Sequence, residues 1–493
     1  MDERKRTRIN LWMFPLGTVG RDMVYTLFGS FLLTYVLFTR TLTAAQLTAI
    51  TAIMVASRVF DALNDPLMGN IIDRTRTRFG KFKPWMVIGI LSTSVVVYAA
   101  FSSPLQGWAF IAFFGVVYFL YSIAYTMHDI AYWGMVASLG TDADDRNRFT
   151  SRATLFAGIG GTLASMLIPM FTTGEWTLGG SASTAYSRVA LVICILSPLF
   201  MGFTIFGVQE RRTLKEETPP PVSIRKILST ITGNDQLMWI AVIFLIHQIG
   251  NGLAAGGLGA TYIYLDFGYS GGLYSLFNTV GMLATAVLMI TYPAISRRIR
   301  RKPLMRIMLI VSAAGYAVML LACLVLPGST LRFWGITAGY TMANFGQYSF
   351  YLMMMISIIN TVEYNEYLRG TRDEAIITSL RPFLTKMGSA VILALTSLSY
   401  LLFDVTSCTN RISALENSAA NGLITEAEKL ASIGEAISGM QTWQTRGLFL
   451  MMTVLPLCTM ALSFLLYRKH YKLDEDEHAR ICRELYAQKE ADA

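Results

Sequence analysis

Charge is scarce in this chain. Asp, Glu, Lys and Arg make up 15% of its 493 residues, while hydrophobic types make up 53%. A soluble domain carries about 25% charged residues, and the mean hydropathy here is +0.47. An ordinary soluble enzyme and a disordered chain are both excluded; what fits is a polytopic membrane protein, because lipid alone tolerates so much apolar surface. Cysteine is also sparse. Cys194, Cys323, Cys408, Cys458 and Cys482 are scattered, without CxxC or metal-like spacing, so neither a disulfide framework nor a zinc site is expected. The four histidines, two of them (His470 and His478) near the C-terminus, form no cluster suited to catalysis. The net charge of +9 does not point to nucleic acid, because the basic residues lie between apolar segments and read as topology signals. The charged run Met1–Arg8 leads straight into an apolar stretch with no small-residue cleavage site, so no removable signal peptide is expected.

A helix needs about 20 mostly apolar residues to cross a bilayer. Twelve segments qualify, near 12–37, 44–72, 84–102, 107–138, 152–173, 188–208, 236–266, 272–294, 303–326, 331–362, 375–404 and 443–467. Basic residues collect in alternate loops, among them Arg4–Arg8, Arg74–Lys83, Arg146 and Arg148, Arg297–Lys302, Arg369 and Arg372, and Arg468–Lys472. The other loops hold little beyond Arg40, Arg188 and Arg332. That asymmetry places both termini in the cytoplasm. The basic loops after the second and eighth spans end at Pro84 and Pro303, 219 residues apart, which hints at duplicated six-helix halves with a substrate site near mid-membrane. The reading is an all-α membrane protein with an N-terminal bundle over 1–208, a linker over 209–235, a C-terminal bundle over 236–467 and a cytoplasmic tail over 468–493. An outward loop over 405–442 contains one anticipated surface helix, Glu426–Ile437.

Ionisable residues inside apolar spans are costly unless paired or in a wet cavity, and so mark function. The first span carries Arg21 and Asp22; the second carries Arg58, Asp61, Asn64 and Asp65; the fourth carries His128 and Asp129. Arg152 opens the fifth and Lys386 lies in the eleventh. Four acids meet four bases, as a shared cavity requires. Asp61 and Asp65 are four residues apart and face the same way, with Arg58 beside them. Two such anions repel unless a cation joins them or one takes a proton. A hard cation such as Na⁺ wants several oxygens, which Asp61, Asp65, the Asn64 carbonyl and a hydroxyl from another helix can supply. On the fourth span Tyr125, Asp129 and Trp133 form an i, i+4, i+8 stripe; a carboxylate beside a flat indole suits a polyol. His128 and His247 read as packed histidines.

These motifs resemble the glycoside–pentoside–hexuronide:cation symporter family of the major facilitator superfamily, typified by the melibiose permease. The resemblance runs from about Gly17 to Tyr467 and rests on Gly20-Arg21-Asp22, on Arg58-Val-Phe-Asp61-Ala-Leu-Asn64-Asp65-Pro66, on Arg76-Thr-Arg78-Phe-Gly80-Lys81-Phe-Lys83-Pro84-Trp85, on Tyr125-Thr126-Met-His-Asp129-Ile-Ala-Tyr-Trp133, on Asn234-Asp235-Gln236-Leu237 and on Lys386-Met-Gly388. It implies twelve helices in two pseudo-symmetric bundles. It implies a coupling-cation site at Asp61, Asn64, Asp65 and Thr126, with Na⁺ held at Asp61 and Asp65. It implies sugar contacts at Asp22, Asp129, Trp133 and Arg152, with Arg21 where the melibiose carrier has lysine and Tyr351 where it has tryptophan, and Lys386 near both sites. Tyr125 joins the substrate set from the stripe above. Arg58, Asp73, Arg76, Lys81, Arg146 and Arg372 form the expected gating and charge network.

The function so implied is symport of a glycoside, pentoside or hexuronide with Na⁺, H⁺ or Li⁺, by a monomer in the bacterial cytoplasmic membrane. No cofactor beyond the coupling ion, no nucleic acid and no enzymatic activity are expected; membrane lipids are the surroundings. The rival reading on the same fold is a cation-coupled carrier of a lysolipid or other amphiphile.

Overall fold

The computed structural model describes residues 3–139, 143–209 and 229–491. The anticipated linker, 209–235 with Pro219 to Pro221, lies outside them over 210–228. Among the described residues every regular element is a helix: α1 (Glu3–Thr39), α2 (Ala44–Arg74), α3 (Lys83–Ser102), α4 (Gly107–Leu139), α5 (Ala143–Thr172), α6 (Ala182–Gly207), α7 (Asp235–Ala255), α8 (Gly257–Asp266), α9 (Gly271–Arg298), α10 (Arg301–Val325), α11 (Ser329–Ile359), α12 (Thr361–Arg369), α13 (Glu374–Leu402), α14 (Val405–Ala420), α15 (Glu426–Ser438), α16 (Thr442–His470) and α17 (Glu475–Ala491). Among the described residues ten spans are long and apolar enough to cross a membrane, and the bent helix α2 makes eleven. The remaining anticipated span, α11, has 31 residues; its Thr337, Thr341, Asn344 and Gln347 dilute the apolar run. The set fits a twelve-helix major facilitator fold.

Boundaries differ from the sequence reading where polar turns extend a helix beyond the lipid. α1 begins at Glu3 and α5 at Ala143, each several residues early. The seventh span is two helices that meet at Gly256. The second is bent by 42° between Ala44–Asp61 and Asn64–Arg74. Pro66 explains that bend, since it cannot donate to the carbonyl four residues earlier and its ring crowds that carbonyl.

The chain forms two compact units. The first comprises Met1–Pro220, Ala260–Leu276 and Thr396–Thr445, so the segment between α13 and α16 groups with the first six helices. α1 is its central helix, packed on α5 and α6. Glycine permits the close approach: a Cβ on Gly20 would stand 2.6 Å from the Ser197 Cα, and one on Gly160 would collide with the Val19 carbonyl.

The segment 405–442, expected as an outward loop, is more ordered than anticipated. It is a helical hairpin, α14 and α15, and only the second helix was foreseen. The Thr425 and Glu428 capping box starts α15. Asn410 exchanges hydrogen bonds with both backbone groups of Leu42, at 2.8 and 2.9 Å. Glu416 and Lys429, both fully buried, pair at 3.5 Å. Glu416 also accepts from the Ala182 amide at 2.7 Å, and Lys429 donates to the Gly180 carbonyl at 2.7 Å. Burial holds the Glu416 carboxyl above the usual range, while Lys429 and the Ala182 amide oppose that rise.

The second unit comprises Pro221–Gly259, Phe277–Leu395 and Arg446–Ala493. Its core joins Phe244, Met305, Phe350, Met353 and Tyr467 to Ile481 and Leu485 of α17. The tail is therefore a docked helix. Its acidic start faces the basic run between α9 and α10, with Arg300–Asp476 at 2.8 Å, Lys302–Asp474 at 3.3 Å and Arg301–Glu475 at 3.4 Å. Those basic residues thus pair with acids as well as marking topology.

Removing one member of a buried pair costs about 3–5 kcal/mol because it strands a charge. Lys429→Met is accordingly expected to lower the thermal midpoint of the detergent-solubilised protein by several degrees. Adding Glu416→Gln should recover most of that loss, and a double substitution no better than Lys429→Met would show that the pair does not hold the hairpin.

Candidate functional site

The first unit contains two clusters of charge, each made of one base and two acids. In the first, Arg21 is nearly buried, with 5% of its side chain exposed. Its Nε and Nη2 donate to one Asp22 oxygen at 2.9 and 2.7 Å, and Nη1 donates to Asp129 at 3.0 Å. α1 therefore reaches across to α4 through a guanidinium that serves two carboxylates at once. Lysine, with a compact ammonium, lacks the planar fork for this. The Arg21 guanidinium also stands 5.1 Å from the ring centres of Tyr132 and Trp133. Tyr132 is fixed in turn by stacking on Phe14 at 4.3 Å and by donating to the Phe14 carbonyl at 2.7 Å. Asp129 remains 33% exposed. One carboxylate edge is thus held by Arg21 while the residue is still accessible, next to an indole whose face is supported by a cation. Such a pairing presents acceptors and a flat apolar face together, the chemistry of polyol recognition.

The second cluster joins α2 to α4. Asp61 accepts a hydrogen bond from the Ser122 hydroxyl, and its other oxygen faces Arg58 at 3.8 Å. Asp65 accepts from Thr126 at 3.3 Å. Arg58 lies among the phenols of Tyr118, Tyr25 and Tyr121. The Asn64 amide nitrogen is buried and, among the described residues, has no hydrogen-bond partner. With all groups ionised, Arg58 against Asp61 and Asp65 leaves one negative charge, the complement of a single monovalent cation. The two clusters share α4: Ser122 and Thr126 serve one, while Tyr125, Asp129 and Trp133 belong with the other. Between them Tyr121 stacks on Phe28 at 3.6 Å, and Tyr125 lies 5.5 Å from both Tyr25 and Tyr121.

Not every sequence-assigned residue joins these clusters. Arg152 donates to the Leu11 carbonyl at 3.3 Å, covers Trp12 at 5.4 Å and is exposed. It was expected among the sugar contacts with Asp22 and Asp129, and its contacts here are with Leu11 and Trp12 instead. Tyr351 and Lys386 belong to the second unit, where Tyr351 packs on Phe244 and Tyr348 at 5.7 and 6.5 Å. Lys81 pairs with Asp73 at 3.3 Å, and Arg76 donates to the Asp73 carbonyl at 2.6 Å. Arg146 is exposed. Arg372 is held by Glu363, Glu366 and Glu374 at 3.1, 3.1 and 3.2 Å. His128 is buried and bonds the Tyr125 carbonyl at 2.8 Å, as a packed histidine does.

Sequence reasoning left one participant unnamed. Ser122 stands four residues before Thr126, so the two hydroxyls share a face opposite two acids with the same spacing. That matched spacing was the available signal.

Arg21→Ala would leave Asp22 and Asp129 to repel each other without a counter-charge. The expected cost is about 3 kcal/mol, the low end for a broken buried pair because Asp129 is partly solvated. Thermal unfolding in detergent measures it. Arg21→Lys should recover only part of the loss; full recovery would show that one charge suffices and the fork is dispensable.

The chain matches the MFS/sugar transport protein family over residues 13–475. It is 29% identical over 404 residues to the lactose permease of Leuconostoc lactis, an alignment that covers 78% of this chain and 61% of that protein. It is 27% identical over 397 residues to the raffinose carrier protein of Pediococcus pentosaceus, covering 77% of this chain and 60% of the relative. The chain thus spans only about three fifths of the length of these two relatives. A solved bacterial homolog of the human lysosomal transporter Spinster shares the fold, with a TM-score of 0.63 at 12% identity over 95% of this chain and 97% of that one. Taken with the motifs of its first, second and fourth spans, these findings show that the chain belongs to the MFS/sugar transport protein family, as a melibiose-permease-like member of the major facilitator superfamily.

Proposed function

We propose that this protein is a secondary transporter that carries a sugar or glycoside together with a monovalent cation, Na⁺, Li⁺ or H⁺. The observation that carries the reading is the paired arrangement on α4. One run of that helix supports the acids Asp61 and Asp65 through Ser122 and Thr126, and the next turn carries Asp129, bridged to Asp22 by Arg21. The names of the lactose and raffinose relatives favour a sugar as the cargo.

In this mechanism the cation settles between Asp61 and Asp65 and offsets the net negative charge of Arg58, Asp61 and Asp65. α4 then takes a fixed position relative to α2, which sets the Asp129 carboxylate and the Trp133 face for sugar hydroxyls. Because the two ligands share α4, each must tighten the other by the same factor. The gradient supplies the work: one elementary charge crossing 100 mV contributes about 2.3 kcal/mol, enough for roughly fifty-fold accumulation. The loop charges favour both termini in the cytoplasm, and the bacterial relatives favour the bacterial cytoplasmic membrane.

Uptake of radiolabelled lactose, raffinose and other glycosides into proteoliposomes under Na⁺, Li⁺ or H⁺ gradients tests the proposal. Asp61→Asn and Asp65→Asn are each expected to lower cation-stimulated uptake at least ten-fold while sugar binding persists. Asp129→Asn should abolish sugar binding. Unchanged cation dependence in both second-span variants would refute coupling there. Transport of a lysolipid with no response to any glycoside would favour the amphiphile carrier.

A further inference from the structure

The hydrogen bonds Ser122 to Asp61 and Thr126 to Asp65 have the same sequence offset, 61 residues. α2 and α4 therefore run parallel and in register here. One turn earlier the same offset sets Ser57 opposite Tyr118. Both side chains are buried, at 0% and 2% exposed. Among the described residues neither hydroxyl has a hydrogen-bond partner. The Tyr118 phenol lies within electrostatic reach of Arg58 and Asp61. The ladder thus has three rungs, and the third carries two hydroxyls with their hydrogen-bonding capacity unspent.

We propose that Ser122 is a specificity-determining ligand, the residue that decides which monovalent cation the Asp61 and Asp65 site accepts. This rests on the cation-coupled reading above and deepens it. Ser122 is 3% exposed and Asp61 8%, so bulk water does not reach the rung freely. One Asp61 oxygen faces Arg58. The other accepts from the Ser122 hydroxyl, which rotates about its own bond. A hard metal cation needs several oxygens at once. Two carboxylates supply its charge balance, and the Ser122 and Thr126 oxygens, turned with their lone pairs inward, widen the shell. A proton needs one acceptor and no shell. Ser122 therefore matters to Na⁺ and Li⁺ through its oxygen. The orphaned Ser57 and Tyr118 hydroxyls, one turn away, provide partners for a water that completes the coordination; buried waters occur where two or more polar groups otherwise lack partners.

Equilibrium binding of radioactive Na⁺ to the purified full-length protein, with Li⁺ as competitor, tests this without knowledge of the sugar. Ser122→Ala and Ser122→Cys are expected to weaken Na⁺ binding about ten-fold, equivalent to about 1.4 kcal/mol, and to change the ratio of Na⁺ to Li⁺ affinity. Ser122→Thr, which keeps the oxygen, should stay within about two-fold of the unsubstituted protein. A packing role alone would lower the thermal midpoint without moving the Na⁺ to Li⁺ ratio, and that result overturns the proposal. So does Na⁺ binding that Ser122→Ala leaves intact while Asp61→Asn removes it. Na⁺ binding that survives both Asp61→Asn and Asp65→Asn fails the underlying site instead. Absence of specific Na⁺ and Li⁺ binding by the unsubstituted protein also overturns the proposal.

Discussion

A charge inside an apolar helix has to be answered by another charge or by hydrogen bonds, because lipid offers neither. That constraint organises the first unit. Arg21 lies between Asp22 and Asp129, and Arg58 stands by Asp61. Each cluster sets two acids with one base, and hydroxyls from α4 bond both acids of the second. Under the proposed function, that excess of acid is where a cation or a hydroxyl-rich ligand finds its attraction.

The backbone details serve those clusters. Pro66 bends α2 between Asp61 and Asn64, so the two acids emerge from differently directed helix segments while still meeting hydroxyls on α4 at a constant offset. Glycine at positions 20 and 160 lets α1 approach α5 and α6, which sets Arg21 deep enough to serve both acids. Aromatic rings fill the space between the clusters, with Phe28, Tyr121 and Tyr125 in a continuous stack. A change in one cluster has a packed route to the other along α4.

The same rule of compensated burial governs the regions outside the spans. The Glu416 and Lys429 pair is fully enclosed, and each member also bonds a backbone group of the segment preceding or opening α6. α17 pairs its acidic start with a basic loop while burying Ile481 and Leu485. The exposed ion pairs there contribute little; the apolar contacts do the holding. A basic loop that marks topology also supplies a docking surface for the tail.

The sequence by itself determined the all-helical membrane architecture, because apolar run length and basic loop asymmetry are local quantities that a bilayer reads directly. It also determined which spans carry the charged clusters, since an aspartate in an apolar run is visible without any neighbour. Spacing placed Asp61 with Asp65, and Tyr125 with Asp129 and Trp133. Tertiary structure decided the pairings. That Arg21 bridges Asp22 and Asp129, that Ser122 meets Asp61, and that Arg152 turns to Leu11 and Trp12 all depend on distances between helices far apart in the chain, which no local pattern encodes. The order of the hairpin was hidden for the same reason: Glu416 and Lys429 look like solvated loop charges until the ends of other helices enclose them and remove the water.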